Sequence, residues 1–106
     1  MHTIHMDTDQ IIEHARARFA HESARRMLKE KYQAKMLFAY QGGMWQAGPE
    51  LIVLLSSCDQ DDIVLLDLYD TPITVNRRDL LTMAQQRWQE QMTAWEIEHH
   101  AQSRSR

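Results

Sequence analysis

The chain has 106 residues, of which 43% are apolar and 25% are charged, and its formal net charge is −3 at pH 7. These values fit one ordinary globular domain with a modest core, and they exclude a generally basic protein that seeks nucleic acid through its overall charge. No apolar run approaches the ~20 residues that cross a membrane, no secretory signal pattern is visible, and a single cysteine excludes an internal disulfide, so a reducing, cytoplasmic compartment and no membrane partner are predicted.

A long first helix is predicted over residues 7–35, since no Gly or Pro interrupts this part of the chain. Thr8 or Asp9 is its predicted N-cap. Its apolar side is narrow and consists of Ile12, Ala15, Phe19 and Met27, with Leu28 and Tyr32 as further candidates. One small core cannot hold so long a helix along its whole length. Either its first half projects from the domain or it packs on another chain, and we favour the second.

Residues 36–47 are predicted to form a hairpin, with Gln41-Gly42-Gly43 as its turn, because paired glycines supply the positive φ that short hairpin loops need. A short helix follows over residues 49–57, with proline at its first position and glutamate in its first turn. This helix is apolar nearly all round, so we expect other elements to cover it.

Residues 62–75 are predicted to form a second hairpin. Its first strand contains the apolar run IVLL at residues 63–66, which is too short for a helix and is typical of a buried strand. Turn chemistry at residues 69–72 ends that strand. In the second strand Ile73 and Val75 alternate with other residues, so they share one face.

The last helix is predicted over residues 77–102, with Asn76 as its N-cap and Asp79 three residues later. Its apolar side is a clear stripe in which positions recur every three or four residues. The stripe consists of Leu80, Ala84, Trp88, Met92, Trp95 and His99. Residues 103–106 are predicted to be a disordered tail, and residues 1–6 to be frayed.

Together these elements predict a single α+β domain over residues 1–106, in the order α-ββ-α-ββ-α. The two hairpins are expected to form one small antiparallel sheet, flanked by the long N-terminal and C-terminal helices. Opposite charges concentrate in different segments: seven basic and two acidic residues give +5 over residues 16–35, and seven acidic and two basic residues give −5 over residues 50–79. Such segments can attract each other within one fold or stack head to tail between copies.

Six histidines raise the question of a metal site. His14 and His21 are seven residues apart, roughly 10 Å along a helix, which is too far for one zinc ion without other ligands. No histidine pair shows the i, i+4 spacing of a helical zinc site. The acidic loop at residues 59–64 has Ile and Val where a calcium loop needs an oxygen ligand and glycine. We therefore predict no metal and no cofactor.

No catalytic motif is visible in the sequence. The serine pair at residues 56–57 lacks the flanking glycines of a nucleophile elbow, and residues 41–43 lack the lysine and following helix of a phosphate loop. The chain is therefore predicted not to be an enzyme. A closed pocket lined by Asp67, His21 and Tyr69 is the arrangement that would contradict this prediction.

Two sets of residues are candidates for binding. Arg18, Arg25 and Lys29 share one face of the first helix, with Arg26 close by, and such a helix can contact phosphates. The alternative is a solvated face whose bases pair locally with neighbouring glutamates.

Aromatic residues form the second set. Trp45, Trp88, Met92 and Trp95 are predicted to anchor a protein interface, since exposed aromatic side chains often do so. The alternative is that they belong to the core. Both interpretations, interface and core, hold in part if the chain forms a dimer or binds a larger partner. Helices this long have more apolar surface than one small core can cover.

Several runs carry a resemblance to a known group of proteins. They are KYQAKMLFAYQGGM at residues 31–44, PEL at 49–51, IVLLD at 63–67, DTPITVNR at 70–77 and WQEQMTAW at 88–95. In these runs the chain resembles the small uncharacterised proteins encoded by large contractile-tailed bacteriophages, the cyanophage-type myoviruses, over about residues 11 to 98. That group has no assigned activity, so the resemblance implies no functional residues. It implies a phage context: a minor virion component, an assembly factor, or an early protein that engages host machinery.

These observations predict a non-enzymatic protein that works by protein–protein contact. We expect a homo-oligomer or a component of a phage assembly, located in the host cytoplasm or in the virion. The alternative is a nucleic-acid-associated accessory protein that binds phosphates through the basic first helix.

Overall fold

The computed structural model describes residues 7–104, which form three helices and two hairpins in the predicted order, so the α+β class is confirmed. The helices are α1 (Thr8–Lys35), α2 (Pro49–Ser57) and α3 (Arg77–Arg104), and the strands are β1 (Leu37–Tyr40), β2 (Gly43–Gln46), β3 (Asp62–Leu66) and β4 (Pro72–Asn76). The frayed N-terminus predicted at residues 1–6 and the last two residues of the predicted tail lie outside the described residues.

Helix α1 begins at a reciprocal side-chain cap. The Asp7 carboxylate accepts a hydrogen bond from Gln10 N at 2.8 Å, and the Gln10 side chain accepts one from Asp7 N at 3.2 Å. This capping box satisfies backbone N–H groups that the first turn leaves unpaired. The prediction of Thr8 or Asp9 as the cap is therefore wrong, because both residues already lie inside the helix.

Helix α3 begins where the sequence predicts and ends later. Asn76 caps it, accepting a hydrogen bond from Asp79 N at 3.0 Å. Ser103 and Arg104, predicted to belong to a disordered tail, continue the helix, and Ser103 Oγ donates to the His99 carbonyl at 3.0 Å. The last turn is therefore helical although its side chains do not belong to the core.

The first hairpin turns at Gln41 and Gly42, which have φ values of 52° and 78°. Two positive φ values in a two-residue loop match the right-handed twist of the strands. Gly43 is not one of the turn residues, in contrast to the prediction; it is the first residue of β2. A Cβ on Gly43 would lie 2.5 Å from Ile73 Cδ1, so this glycine is required by the close approach of the second hairpin.

The two hairpins form separate two-stranded antiparallel sheets instead of the single sheet predicted. The chain after β3 joins them: Leu68 N donates to the Met44 carbonyl at 2.9 Å, and Met44 N donates to Asp67 Oδ2 at 3.0 Å. A side-chain carboxylate thus takes the place of a neighbouring strand at the free edge of β2, and the sheet cannot continue there.

The core lies between the hairpins, α2 and the first half of α3. Its buried members are apolar residues that lie in or beside β1, β2, α2, β4 and α3. They are Met36, Phe38, Trp45, Ala47, Leu55, Val75, Leu80 and Ala84. The predicted stripe of α3 packs into this core from Leu80 to Met92, and so does the predicted shared face of Ile73 and Val75.

A projecting pair of helices completes the molecule. Near its C-terminal end α1 packs on the second half of α3, where the Tyr32 ring stacks on Trp95 with centroids 5.9 Å apart. The molecule measures 69 × 26 × 25 Å, and its length reflects this pair, since a 28-residue helix is about 42 Å long.

Candidate functional site

Helix α1 has two apolar faces on opposite sides. Leu28 and Tyr32 are buried against α3. Ile12, Phe19 and Met27 are exposed, with 68% of Phe19 and 69% of Met27 accessible to solvent. Phe19 and Leu28 are nine residues apart, about 180° around a helix of 3.6 residues per turn. The single stripe predicted from the sequence is therefore two faces, and we call Ile12, Phe19 and Met27 the apolar face of α1.

The first half of α1 extends past its contact with α3. Every residue from 8 to 20 is exposed, and we call this segment the overhang. Tyr32 contacts Trp95 and Glu98, after which α3 has only six further residues, whereas 24 residues of α1 precede Tyr32. The first half of α1 therefore projects in the single chain, and its packing on another chain stays a prediction.

The predicted phosphate-binding residues remain together on the surface of α1. Arg18, Arg25, Arg26 and Lys29 are all exposed. Arg18 pairs with Glu22 one turn later, with 3.5 Å between its Nε and the carboxylate. The basic face is thus partly neutralised within the helix, as the alternative reading of the sequence anticipated, and its binding to phosphates stays a prediction.

The predicted interface residues do not share one surface. Trp45 is 3% exposed and lies in the core, where its Nε1 donates to the Tyr40 carbonyl at 2.9 Å. Trp88 packs against that core on α3. Met92 and Trp95 line a groove of about 430 Å³ along α3, together with polar neighbours including Glu96 and His99. Trp45 is therefore almost fully buried, whereas the other three residues are half-buried, and their contact with a partner stays a prediction.

A larger groove lies between α2 and β3. It has a volume of about 720 Å³ and apolar walls formed by Leu51 and Leu54 of α2, Leu66 of β3 and the following Leu68. We call it the α2–β3 groove. Large exposed apolar side chains cluster on the elements that form it; they are Val53, Leu54, Val64, Leu66, Leu68 and Tyr69.

This groove corrects two predictions from the sequence. Helix α2 was expected to be covered all round, yet only Leu55 is fully buried and Val53 is 65% exposed. The run at residues 63–66 was expected to be a buried strand, yet Val64 and Leu66 point outwards and are 65% and 61% exposed. A two-stranded hairpin has one face on the core and nothing on the other, so half of an apolar run stays in solvent.

Four carboxylates lie on or near the elements that form the α2–β3 groove. Glu50 and Asp67 line it. Asp62 lies on the outward face of β3 with Val64 and Leu66, and Asp70 is exposed in the loop beyond. The groove therefore has mainly apolar walls, with Glu50 as its one exposed lining carboxylate.

Asp67 is a structural carboxylate. It is 7% exposed, its Oδ1 accepts hydrogen bonds from Tyr69 N at 2.9 Å and Thr71 N at 3.0 Å, and its Oδ2 accepts from Met44 N. The Met44 and Thr71 N–H groups hold the pKa of Asp67 below its ordinary value, against burial, which raises it. All its partners are backbone groups, so Asp67 fixes the turn and joins the two hairpins.

A second carboxylate ties α1 to α3. Glu98 accepts hydrogen bonds from Lys31 Nζ and from the Tyr32 hydroxyl. The Lys31 bond, followed by the Tyr32 bond, lowers the pKa of Glu98. The same contacts raise the pKa values of Lys31 and Tyr32, because Glu98 favours their protonated forms.

The catalytic pocket that would contradict the prediction of no enzyme does not assemble around Asp67. The groove that Asp67 lines contains neither His21 nor Tyr69. His21 lies on α1, with a buried Nδ1 that has no hydrogen-bond partner among residues 7–104. Cys58 is the C-cap of α2, and its Sγ donates to the Leu54 carbonyl at 3.2 Å. Within residues 7–104 no three His, Cys, Asp or Glu side chains converge as ligands for a metal ion.

Sequence reasoning missed the roles of Asp67 and Glu98. The bond from Tyr69 N to Asp67 Oδ1 is a local Asx turn, so an aspartate two residues before a turn could have indicated it. The bonds from Met44 to Asp67 and from Lys31 to Glu98 span 23 and 67 residues, and no local pattern encodes them.

Comparisons of the chain with protein-family models, with curated proteins and with solved structures give no match. None of the helices in residues 7–104 is both long enough and apolar enough to cross a membrane.

Proposed function

We propose that this chain works by protein–protein contact, as a self-associating structural or assembly protein without catalysis. The observation that carries the proposal is the apolar face of α1. Three large apolar side chains are exposed at helical spacing on the side of α1 that faces away from α3. A helix that presents such side chains at intervals of about two turns is a common recognition element, because it can lay them into an apolar groove.

The energetics favour a reversible complex. Burying one Ile, Phe or Met side chain contributes ~1.5–3 kcal/mol, so the apolar face of α1 can contribute roughly 4.5–9 kcal/mol. Association costs about 4–15 kcal/mol in lost translational and rotational freedom. Because the two terms are comparable, we expect an association that depends on protein concentration rather than a permanent assembly.

A phage context is part of the proposal. Its support is the resemblance of residues 31–44 and 63–77 to the small proteins of contractile-tailed bacteriophages. In that context the partner is the chain itself or a phage structural protein, and the place of action is the host cytoplasm or the virion.

A second candidate function is the binding of nucleic acid through α1. The observation in its favour is the exposure of Arg18, Arg25, Arg26 and Lys29 on one helix. Binding of this kind releases counterions, so its affinity falls steeply as salt is raised. It also requires the charges themselves, whereas an apolar contact does not.

The experiment that tests the proposal is the native mass by light scattering over a range of protein concentrations, at low and at high salt. We expect the mass to rise above the 12.6 kDa of one chain as concentration increases, and to remain raised at high salt. A mass of one chain under all conditions contradicts self-association.

The same preparation tests the second candidate with a labelled DNA or RNA oligonucleotide. Salt-sensitive binding that is lost when Arg18, Arg25 and Arg26 are changed to Glu favours the nucleic-acid function. No binding, with a concentration-dependent mass, favours protein contact.

A further inference from the structure

We infer that two copies of the chain pair antiparallel along the apolar face of α1, with Phe19 of each copy at the two-fold axis. This inference rests on the proposed function, since it names what covers that face: the same face of a second copy. A two-fold contact uses one surface twice, so that surface has to be complementary to itself. The apolar residues and the charges of α1 together meet this condition in the antiparallel direction.

The large apolar residues of this face are spaced almost evenly about Phe19. Ile12 lies seven residues before it and Met27 eight residues after it. In an antiparallel pair with Phe19 of both copies at the axis, Ile12 of one copy comes within one residue of the level of Met27 in the other, or about 1.5 Å along the helix. Each large apolar side chain of the face is therefore level with another.

The charges of α1 are arranged so that they attract in this direction. Residues 7–13 contain three acidic and no basic residues, which gives −3, and residues 25–31 contain four basic residues and one acidic residue, which gives +3. Lys31 also pairs with Glu98, and without it the second segment still carries +2. The two-fold axis at Phe19 places residues 7–13 of one copy level with residues 25–31 of the other. Packed helix axes are about 8–10 Å apart, close to the Debye length of about 8 Å at physiological salt, so these segments attract each other.

A parallel pair would bring like charges together. It would place the two segments of −3 side by side, and the two segments of +3 likewise, at the same separation. In the antiparallel pair the whole overlap, residues 7–31, has six basic and five acidic residues in each chain, so no large excess of one sign accumulates. A second copy thus supplies both the apolar residues and the charges that this face requires.

The fold leaves space for this contact. Leu28 and Tyr32 hold α3 on the opposite side of α1, so the two α3 helices would lie on the outer sides of the pair. Residues 8–20 are exposed on every side, and in the second half of the overlap Met27 and its neighbour Arg26 are exposed as well. The overlap from residue 8 to residue 30 is about 34 Å long.

Single cysteines test the direction of the pair. With the natural thiol removed by Cys58→Ser, three chains each carry one new cysteine: Ile12→Cys, Phe19→Cys or Met27→Cys. In the antiparallel pair the two positions 19 face each other, whereas the two positions 12 are about 21 Å apart along the axis and the two positions 27 about 24 Å. A disulfide needs Cα atoms within about 7 Å. Under mild oxidation we expect the Phe19→Cys chain to form a covalent dimer, and the other two chains, each alone, to stay single.

The decisive measurement is the mixture of Ile12→Cys and Met27→Cys chains. We expect a covalent dimer of about twice the 12.6 kDa chain mass, although neither chain forms one alone. A parallel pair gives the reverse result, because each chain would then cross-link with itself and the mixture would add nothing. Light scattering under reducing conditions establishes that the variants still associate. Ala15→Cys and Ser23→Cys, which are also level in the antiparallel pair, replace the first two if they do not.

A substitution at the axis tests the face itself. Phe19→Glu brings two carboxylates together at the centre of the contact, so we expect it to keep the mass of one chain at concentrations where the unchanged protein associates. Ala17→Glu adds the same charge about 160° away around the helix, so it should associate normally. Ala17→Cys should likewise give no covalent dimer. Both positions are exposed, so neither change removes core packing, and circular dichroism establishes that each variant is folded.

The outcomes separate this inference from the proposed function. If the unchanged protein associates but Ile12→Cys and Met27→Cys each cross-link alone, the pair is parallel: the inference is wrong and self-association stands. The inference is equally wrong if Phe19→Glu still associates, or if the mixed cysteine chains associate without forming a covalent dimer. If the unchanged protein never exceeds one chain mass, the proposed self-association fails and the inference fails with it.

Discussion

Helices α1 and α3 have the same length, 28 residues each, but their surroundings differ along that length. In α3 the apolar stripe starts in the core, with Leu80 and Ala84 fully buried, and continues half-buried to His99. In α1 only Leu28 and Tyr32 are buried, both in the last third of the helix. The difference follows from where each helix meets the hairpins: α3 starts among them, whereas α1 reaches them only at its end.

This comparison shows what helical periodicity can and cannot indicate. A recurring apolar position identifies the side of a helix that can be buried. Burial also needs another element that packs against the helix at the same position along its axis. Helix α3 has α2, β4 and α1 as neighbours. The overhang of α1 has no neighbour among the described residues, so its apolar face remains in water until another molecule covers it.

The largest contrast between the two helices is expected in stability. Leu80→Ala removes a side chain with 0% exposure and leaves a cavity in the core, so it should lower the free energy of unfolding by ~3 kcal/mol. Phe19→Ala removes a side chain that is 68% exposed in the single chain, so it should change that free energy by less than ~0.5 kcal/mol. Urea denaturation at low protein concentration measures both values.

The low concentration matters, because association would add a contribution from the partner to the apparent stability. A loss of more than ~1 kcal/mol for Phe19→Ala in a chain that light scattering shows to be monomeric would mean that the apolar face of α1 is packed within the chain. That result would remove the distinction between the two helices.

Much of the fold follows from local signals in the sequence. Asn76 and Asp79 form the cap of α3 at the expected spacing, and the stripe from Leu80 onwards identifies its buried side correctly. These features depend on residues three or four positions apart, which a sequence displays directly. The N-cap of α1 was placed one or two residues too late, because Asp7, Thr8 and Asp9 are all good caps and only Asp7 forms the capping box with Gln10.

The candidate surfaces were harder to predict, because an apolar side chain stays exposed only where no other element of the fold packs over it. The run at residues 63–66 looks like a strand buried on both faces, and it would be one if a second layer covered the hairpin. Nothing in the run itself shows that no such layer exists. Trp45, predicted as an interface residue, is a core residue for the related reason that the second hairpin closes over β2.

An intermediate effect is expected at the joint between the hairpins. A Cβ on Gly43 would lie 2.5 Å from Ile73 Cδ1 and 3.2 Å from both Asp67 Cβ and Trp45 Cζ2. Gly43→Ala should therefore lower the free energy of unfolding by ~1–2 kcal/mol, because the core has to shift to admit a methyl group. Thermal or urea unfolding measures the loss.

Gly48→Ala is the matched control, since a Cβ there meets nothing within 4 Å and its φ of 173° is ordinary extended backbone. It should change stability by less than ~0.5 kcal/mol. Adding Ile73→Val to Gly43→Ala removes the nearest clashing atom and should recover part of the loss. Equal effects of the two glycine substitutions would show that the hairpins are not closely packed at Gly43.

The smallest effect on stability is expected in acid. There Asp67, which joins the hairpins, can be compared with Glu98, which joins α1 and α3. The pKa of Asp67 is lower in the folded chain than its ordinary value, so it binds protons more readily when unfolded. Its stabilising contribution is therefore complete above about pH 4 and is lost as the pH falls through the lowered pKa. In Asp67→Asn we expect a smaller drop of the unfolding midpoint between pH 7 and pH 3 than in the unchanged chain.

The contribution of Glu98 to stability depends on pH in the same direction, because Lys31 and Tyr32 lower its pKa. Its contribution is likewise present above the ordinary glutamate pKa and lost in acid, but it differs in its response to salt. The pair of Glu98 with Lys31 is exposed to solvent at 39% and 46% of the two side chains, so added salt screens it, whereas the backbone partners of Asp67 carry no net charge. At neutral pH, raising salt should thus reduce the difference in free energy of unfolding between Glu98→Gln and the unchanged chain. The corresponding difference for Asp67→Asn should stay nearly constant. An equal response of both variants to salt would mean that the hairpins and the helix pair are held by the same kind of electrostatic contact.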